Sequence, residues 1–220
     1  MAPSRRMLNS EEAHVHDQIM RMGQVVGEVI EKALQCFSGH DTGLARDIVA
    51  GDDIIDRLHH QVEEGCITTI ARQQPVAGDL RDLISCMYIA AELERIGDYA
   101  ADIAGIVLQY DDTPRAEFFE GVGSLGDICR SMLSDVMSAY ERGDEQLARD
   151  TAARDDEIDR LEKEFVAELL SRMRKHPDDM LSATHTLWIA HSIERIGDRV
   201  TNIAERVVYM TSGRNVNLNQ

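Results

Sequence analysis

Proline and aromatic residues are scarce in this 220-residue chain, which has four prolines and 5% Phe, Trp and Tyr together. A β-sandwich or barrel needs many turns and ring-rich strands, so this poverty argues against both. Cysteine is sparse too. Cys36, Cys66, Cys86 and Cys129 form no Cys-x-x-Cys pair, and each falls within a helical pattern, so they read as small core residues. Long apolar runs are absent: the richest, around 84–91, is far too short to cross a bilayer. The first residues, MAPSRRMLNSEE, carry two arginines with no apolar stretch behind them, which is not a signal-peptide pattern, so a cytosolic protein is expected.

What is present favours helix. Glu, Asp, Leu, Ala, Arg and Met carry much of the chain, and 43% of residues are hydrophobic, enough to build a core. The formal net charge is −17, from 40 acidic and 23 basic residues. A field of that sign repels nucleic-acid backbones and anionic lipid, so neither is an expected partner. It would also repel free phosphate unless a bound metal inverted the local charge.

The chain is written twice. Leu44-Ala45-Arg46-Asp47 returns as Leu147-Ala148-Arg149-Asp150, and the same offset of 103 maps Asp52-Asp53 onto Asp155-Asp156 and Asp56-Arg57-Leu58 onto Asp159-Arg160-Leu161. Further on, at an offset of 100, Glu94-Arg95-Ile96-Gly97-Asp98 returns as Glu194-Arg195-Ile196-Gly197-Asp198. Each half reads as three helices, with repeat boundaries at 1–112 and 113–220. The first helix is expected over about 10–38, with Ile19, Met22, Val26, Val29, Ile30, Ala33 and Phe37 on one stripe. Asp41 or Thr42 is placed to cap a second helix that carries Ile48, Ile55, Leu58, Val62 and Cys66 and stops near Gln74, before Pro75. The third starts near Asp79 and ends around Tyr110. The second half repeats this plan over about 117–142, on to the stop before Pro177, and over about 179–211. The fold expected is therefore all-α: two tandem three-helix bundles related by internal duplication.

Residues four apart on a helix differ in direction by only about 40°. Glu94, Asp98 and Asp102 thus share one face, as do Asp52 and Asp56; the second half offers Asp155 with Asp159, and Glu194 and Asp198 with Asn202. Like charges at this spacing cost a helix some stability unless solvent, a basic neighbour or a cation offsets them. Gly97 and Gly197 sit mid-helix among these acids, where glycine costs about 1 kcal/mol against alanine. Something is therefore expected to approach the backbone there, either a packed helix or a ligand. An all-oxygen set suits Mg²⁺, Mn²⁺, Ca²⁺ or iron. A di-iron bundle would need a pair of Glu-x-x-His motifs on facing helices, which the chain lacks. His59 and His60 read as exposed, and His191 stands where the first repeat has Ala91. Arg81, Arg95 and Arg195 are candidates for touching an anion or for salt bridges. No metalloprotease, nucleophile-elbow, phosphate-loop or dinucleotide motif occurs, so an enzyme such as a small oxidase or phosphohydrolase is the lesser alternative, beside a structural adaptor without metal.

Pro75-Val76-Ala77-Gly78-Asp79-Leu80-Arg81, followed by Glu94 to Asp98 and by Ile103-Ala104, resembles the PhoU family of phosphate-signalling proteins. So does the closing run from Ile193 to Asp198, with Thr201-Asn202-Ile203-Ala204-Glu205 and Tyr209. The resemblance implies a non-enzymatic negative regulator of phosphate uptake and of the phosphate-starvation response. Such a protein links the phosphate ABC transporter ATPase to a sensor histidine kinase, forms oligomers such as a dimer, and meets the membrane only through those partners. It also implies iron, zinc or other divalent ions on the family's carboxylate motifs, which match Asp52/Asp56, Glu94/Asp98, Asp98/Asp102, Asp155/Asp159 and Glu194/Asp198 here. The family commonly has His after the Gly-Asp pair, where this chain has Tyr99 and Arg199. Asn202 in place of a third acid, and Arg199 beside Asp198, rank the first repeat as the better metal site.

Overall fold

A computed structural model describes residues 3–109 and 116–218, and eight α-helices account for most of them. In the first half α1 spans Pro3–Gly39, α2 Thr42–Ala50, α3 Asp53–Gln73 and α4 Gly78–Val107. In the second, α5 spans Ala116–Arg142, α6 Glu145–Ala152, α7 Asp155–Lys175 and α8 Met180–Ser212, with a 3₁₀ turn at Pro177–Asp179. Two three-helix bundles, α1–α3–α4 and α5–α7–α8, form as the periodicity requires. The expected repeat boundary at 112/113 and the end at Tyr110 lie outside the described residues.

Two element boundaries differ from the sequence reading. α1 begins at Pro3, well before Ser10, because Leu8 is buried and Arg5 is ion-paired to Asp79 of α4. Proline in the first turn removes no helical hydrogen bond. The expected second helix is broken in each half. Gly51 closes α2 by donating its N–H to the carbonyls of Asp47 and Ile48, and α3 starts afresh at Asp53. Ala153 closes α6 in the same way before α7. The expected cap is present: the Asp41 carboxylate accepts from the Leu44 N–H at 2.9 Å, and Asp144 repeats this on Leu147 at 3.0 Å.

The two bundles lie side by side and share one continuous hydrophobic core. Val15, Ile19, Met22, Val26, Ile30, Ala33 and Phe37 of α1 are all buried, at steps of three and four residues. The four cysteines are free and buried, as their helical spacing suggested. Burial pushes the Cys36, Cys66 and Cys86 thiols up to about 11, 12 and 11, so they stay neutral.

The long helices α4 and α8 make the main seam between the halves and run antiparallel. Arg81 sits against Gly213, Tyr88 against Arg206 and Glu92 against Asn202, so numbers fall on α8 as they rise on α4. That register brings Gly97 level with Gly197, and relates the two repeats by a pseudo-twofold axis near this pair. Among the described residues no helix is long and apolar enough to cross a membrane.

Candidate metal centre

Each carboxylate row lies where the third long helix of a repeat faces the start of the second. In the first half, Asp52 and Asp56 come from the beginning of α3, and Glu94, Asp98 and Asp102 from the middle of α4. Asp52 occupies the N-cap position, yet its side chain makes no capping hydrogen bond. Burial raises its pKa first, followed by the fields of Asp98, Asp56 and Asp102. Glu94 is raised by burial and then by Asp98, and Asp102 likewise. The acids expected to form two facing rows therefore feel one another across the helix pair. Asp52 and Asp56 lie at the N-terminus of α3, as Asp155 does at that of α7, where the helix dipole offsets part of the repulsion.

The second half is the deeper of the two. Asp155, at the start of α7, is only 8% exposed. Its carboxyl is pushed up to about 7, by burial first and then by Asp198, Asp159 and Glu194. Glu194 is raised by burial and by Asp198. One of its oxygens, Oε2, is buried with no hydrogen bond; the nearest cationic group is His191 Nδ1 at 3.4 Å, charged only when protonated.

Basic side chains compensate both rows. Arg95 lies 3.1 Å from Asp98 and 3.5 Å from Glu94, while Arg195 lies 2.9 Å from Asp198. These two arginines are salt-bridge partners here. Lys163 pairs with Asp159 at 2.9 Å, one turn along α7. The sequence reading missed His59, which it placed on the exposed side; it is half-buried, and its field lowers the Glu94 pKa. The available signal was its position three residues after Asp56, on the same helix face.

Several residues take roles other than those expected. The Arg199 guanidinium reaches across the seam to Glu92 at 3.4 Å. It therefore neutralises Glu92, whereas the sequence had it opposing a cation beside Asp198. Asn202 donates its amide to the same Glu92 oxygen at 3.2 Å, so it serves the seam. Tyr99 also faces the seam, where it hydrogen-bonds Arg195 and raises its pKa. Asp102 lines a cavity of about 450 Å³ between α4 and α8, with Thr184, His185 and Trp188. The mid-helix glycines are explained by helix packing. A Cβ on Gly97 would fall 2.6 Å from Ile55 Cδ1 of α3, and one on Gly197 would fall 2.8 Å from Asp155 Oδ1 of α7.

By donor chemistry the rows fit a hard cation: all oxygens, several charges, and in the second row one buried carboxylate oxygen without a hydrogen bond. By arrangement they stop short of a finished site. Among the described residues, no three His, Cys, Asp or Glu side chains converge closely enough to hold an ion.

Fold and site together define an internally duplicated helical-bundle protein with one acidic row per repeat. The family model of the PhoU domain matches residues 19–107 and 122–207, one copy in each half, and the chain belongs to the PhoU family. It is 32% identical to the phosphate-specific transport system accessory protein PhoU homolog of Clostridium acetobutylicum, over 98% of this chain and 99% of that one. A homolog from Pseudomonas putida is 34% identical over 96% of this chain and 83% of its own length. Among solved structures, PhoU from Pseudomonas aeruginosa superposes with a TM-score of 0.89 at 32% identity, covering 94% of this chain and 99% of that one. The phosphate transport system regulatory protein PhoU from Streptococcus pneumoniae gives the same TM-score at 31% identity, covering 96% and 99%.

Proposed function

We propose that the chain is an accessory protein of phosphate-specific transport. It acts as a negative regulator of phosphate uptake and of the phosphate-starvation two-component response. In this reading it is a non-enzymatic cytoplasmic adaptor, working as a dimer, that contacts the ATPase of the phosphate ABC transporter and the sensor histidine kinase. It reaches the membrane only through them. The observation that carries the reading is similarity through both repeats, end to end, to relatives named as accessory proteins of that transport system.

The carboxylate rows give the adaptor a cation-dependent element. Asp155, Asp159, Glu194 and Asp198 would hold one divalent or iron ion, and Asp52, Asp56, Glu94, Asp98 and Asp102 another. Bound metal would supply positive charge against the mutual repulsion of these acids. Support for ranking the second row first is twofold: its acids are less solvated, and Arg199 and Asn202, which counted against it, are engaged on Glu92.

The test is deletion of the gene together with affinity capture at high phosphate, using the purified transporter ATPase and the kinase cytoplasmic region as prey. Loss of the chain should raise phosphate uptake and switch on phosphate-starvation reporters in rich phosphate. Capture of neither prey, together with normal repression in the deletion strain, would sink the proposal.

A further inference from the structure

The seam between α4 and α8 has two ends related by the pseudo-twofold axis, and their chemistry has diverged. At one end Arg81 of α4 lies over the Tyr209 ring of α8 at 5.6 Å, and Arg206 of α8 lies over the Tyr88 ring of α4 at 4.7 Å. At the other end the equivalent positions are Leu181, Gln109, Ile106 and Trp188. That end has no arginine at these positions and stays open, with Ile106, Gln109 and Trp188 lining the cavity of about 450 Å³. Neither Arg81 nor Arg206 forms an ion pair among the described residues, although the field of Arg81 reaches Asp82 beside it and opposes the rise of that carboxyl's pKa.

The arginines are held in place by their surroundings. Stacking on a tyrosine face fixes the plane of each guanidinium and leaves its N–H edge free to bond outward. Gly213, at φ +71, allows Arg81 to pack against the backbone: a Cβ there would meet the guanidinium at 2.8 Å. Arg206 is level with Tyr88, seven residues beyond Arg81, so the backbones that carry the two arginines stand about 10 Å apart along the seam. Ile84, between them, is 38% exposed, and Tyr88 keeps 53% exposure beside Arg206. Exposed aromatic and aliphatic side chains flanked by arginine are the composition of a protein-binding hot spot.

We propose that this end of the seam is a docking surface for an acidic segment of a partner protein. The segment carries two carboxylates about 10 Å apart, as on residues seven apart along a helix, with an apolar residue between them to cover Ile84 and Tyr88. Charge complementarity selects this occupant. Two arginines on two helices suit two separate carboxylates, and with a Debye length of about 8 Å at physiological salt the opposing charge is that of the nearest acids, Asp82 among them. The proposal rests on the adaptor reading for its biological setting alone, because its test uses the purified chain.

The probe is a labelled helical peptide with two Glu seven residues apart and Leu between them, compared with its Gln counterpart by fluorescence anisotropy. The acidic peptide should bind the wild-type chain, weaken as salt rises, and bind at least tenfold more weakly to the Arg81→Gln/Arg206→Gln double variant. Arg46→Ala, an exposed arginine elsewhere, should bind as wild type does. The salt series and the Gln peptide test the wild-type chain directly, so the outcome does not hang on how the double variant folds. Any of four results overturns the proposal: no binding at millimolar peptide, equal binding by the Gln peptide, displacement by equimolar inorganic phosphate, or a double variant that loses self-association while peptide binding persists. A failed peptide assay beside an intact deletion phenotype would reject this surface and leave the adaptor reading standing.

Discussion

Replacing Gly97 by alanine tests whether the glycine of the repeated pentapeptide is kept for helix packing. In an exposed helix the change would stabilise by about 1 kcal/mol. Here the new Cβ would stand 2.6 Å from Ile55 Cδ1 and 3.3 Å from its Cγ2, and Ile55 is 2% exposed within the core. Overpacking of this kind costs about 1–3 kcal/mol. A contact as close as 2.6 Å belongs in the upper part of that range, about 2–3 kcal/mol. The net expectation is therefore a loss of about 1–2 kcal/mol, or roughly 2–8 °C in Tm for a chain of this size. Ile55→Val removes the offending Cδ1 and alone costs about 0.5–1.5 kcal/mol. Combined with Gly97→Ala it should cost little more than that, which gives a coupling energy of about 1–2 kcal/mol between the two sites. Urea unfolding of the four proteins, read as midpoints at constant m, measures the cycle. A Gly97→Ala chain as stable as wild type, or strictly additive costs, would refute the packing explanation and reopen the ligand one.

Two further outcomes follow from the second acidic row. The Asp155 carboxyl is raised from its ordinary 3.8 to about 7, so the stability it contributes is complete below about pH 4, is lost as pH rises to about 7, and is flat beyond. Relative to Asp155→Asn, chelator-treated wild type should therefore lose up to about 4 kcal/mol across that window, and parallel urea midpoints from pH 4 to 8 would contradict it. Metal analysis of protein prepared without chelator should show a larger loss of bound ion in Asp198→Ala than in Asp98→Ala, and the reverse order would return the first row to the lead.

How much of this was legible in the sequence depends on the range of the interaction. The α1 stripe, the Asp41 cap and the stops before Pro75 and Pro177 are local, and all appear where periodicity and capping chemistry put them. The break between α2 and α3 is local as well, but Ile48 and Ile55 are seven residues apart, a spacing that continues a helical stripe straight through the interruption. Gly51 was the one available signal, and a single glycine inside an apolar pattern is weak. The roles of Arg199 and Asn202 could not be read at all. Their partner Glu92 lies 107 and 110 residues away, and no pattern within one helix states which face meets another bundle. The acid rows were found because four-residue spacing is a property of one helix; the greater burial of Asp155 was not, since it depends on how closely α7 approaches Gly197.

The pentapeptide repeats because one helix must serve two surfaces, and its five residues divide between them. Ile96 and Gly97, like Ile196 and Gly197, are buried; the glycines admit α3 and α7, and no ligand is needed to account for them. Arg95 and Arg195 neutralise the acids three residues ahead. Those assignments leave Glu94, Asp98, Glu194 and Asp198 as the members whose placement packing does not explain. Carboxylates that face further carboxylates repel one another, and Glu94 and Glu194 are raised by burial first and then by the fields of Asp98 and Asp198. The next residue along, Tyr99 or Arg199, crosses to the other bundle through Arg195 or Glu92. A change of charge in either row is thus applied one residue from a bond that ties the halves together, which is the connection an adaptor with two partners would need.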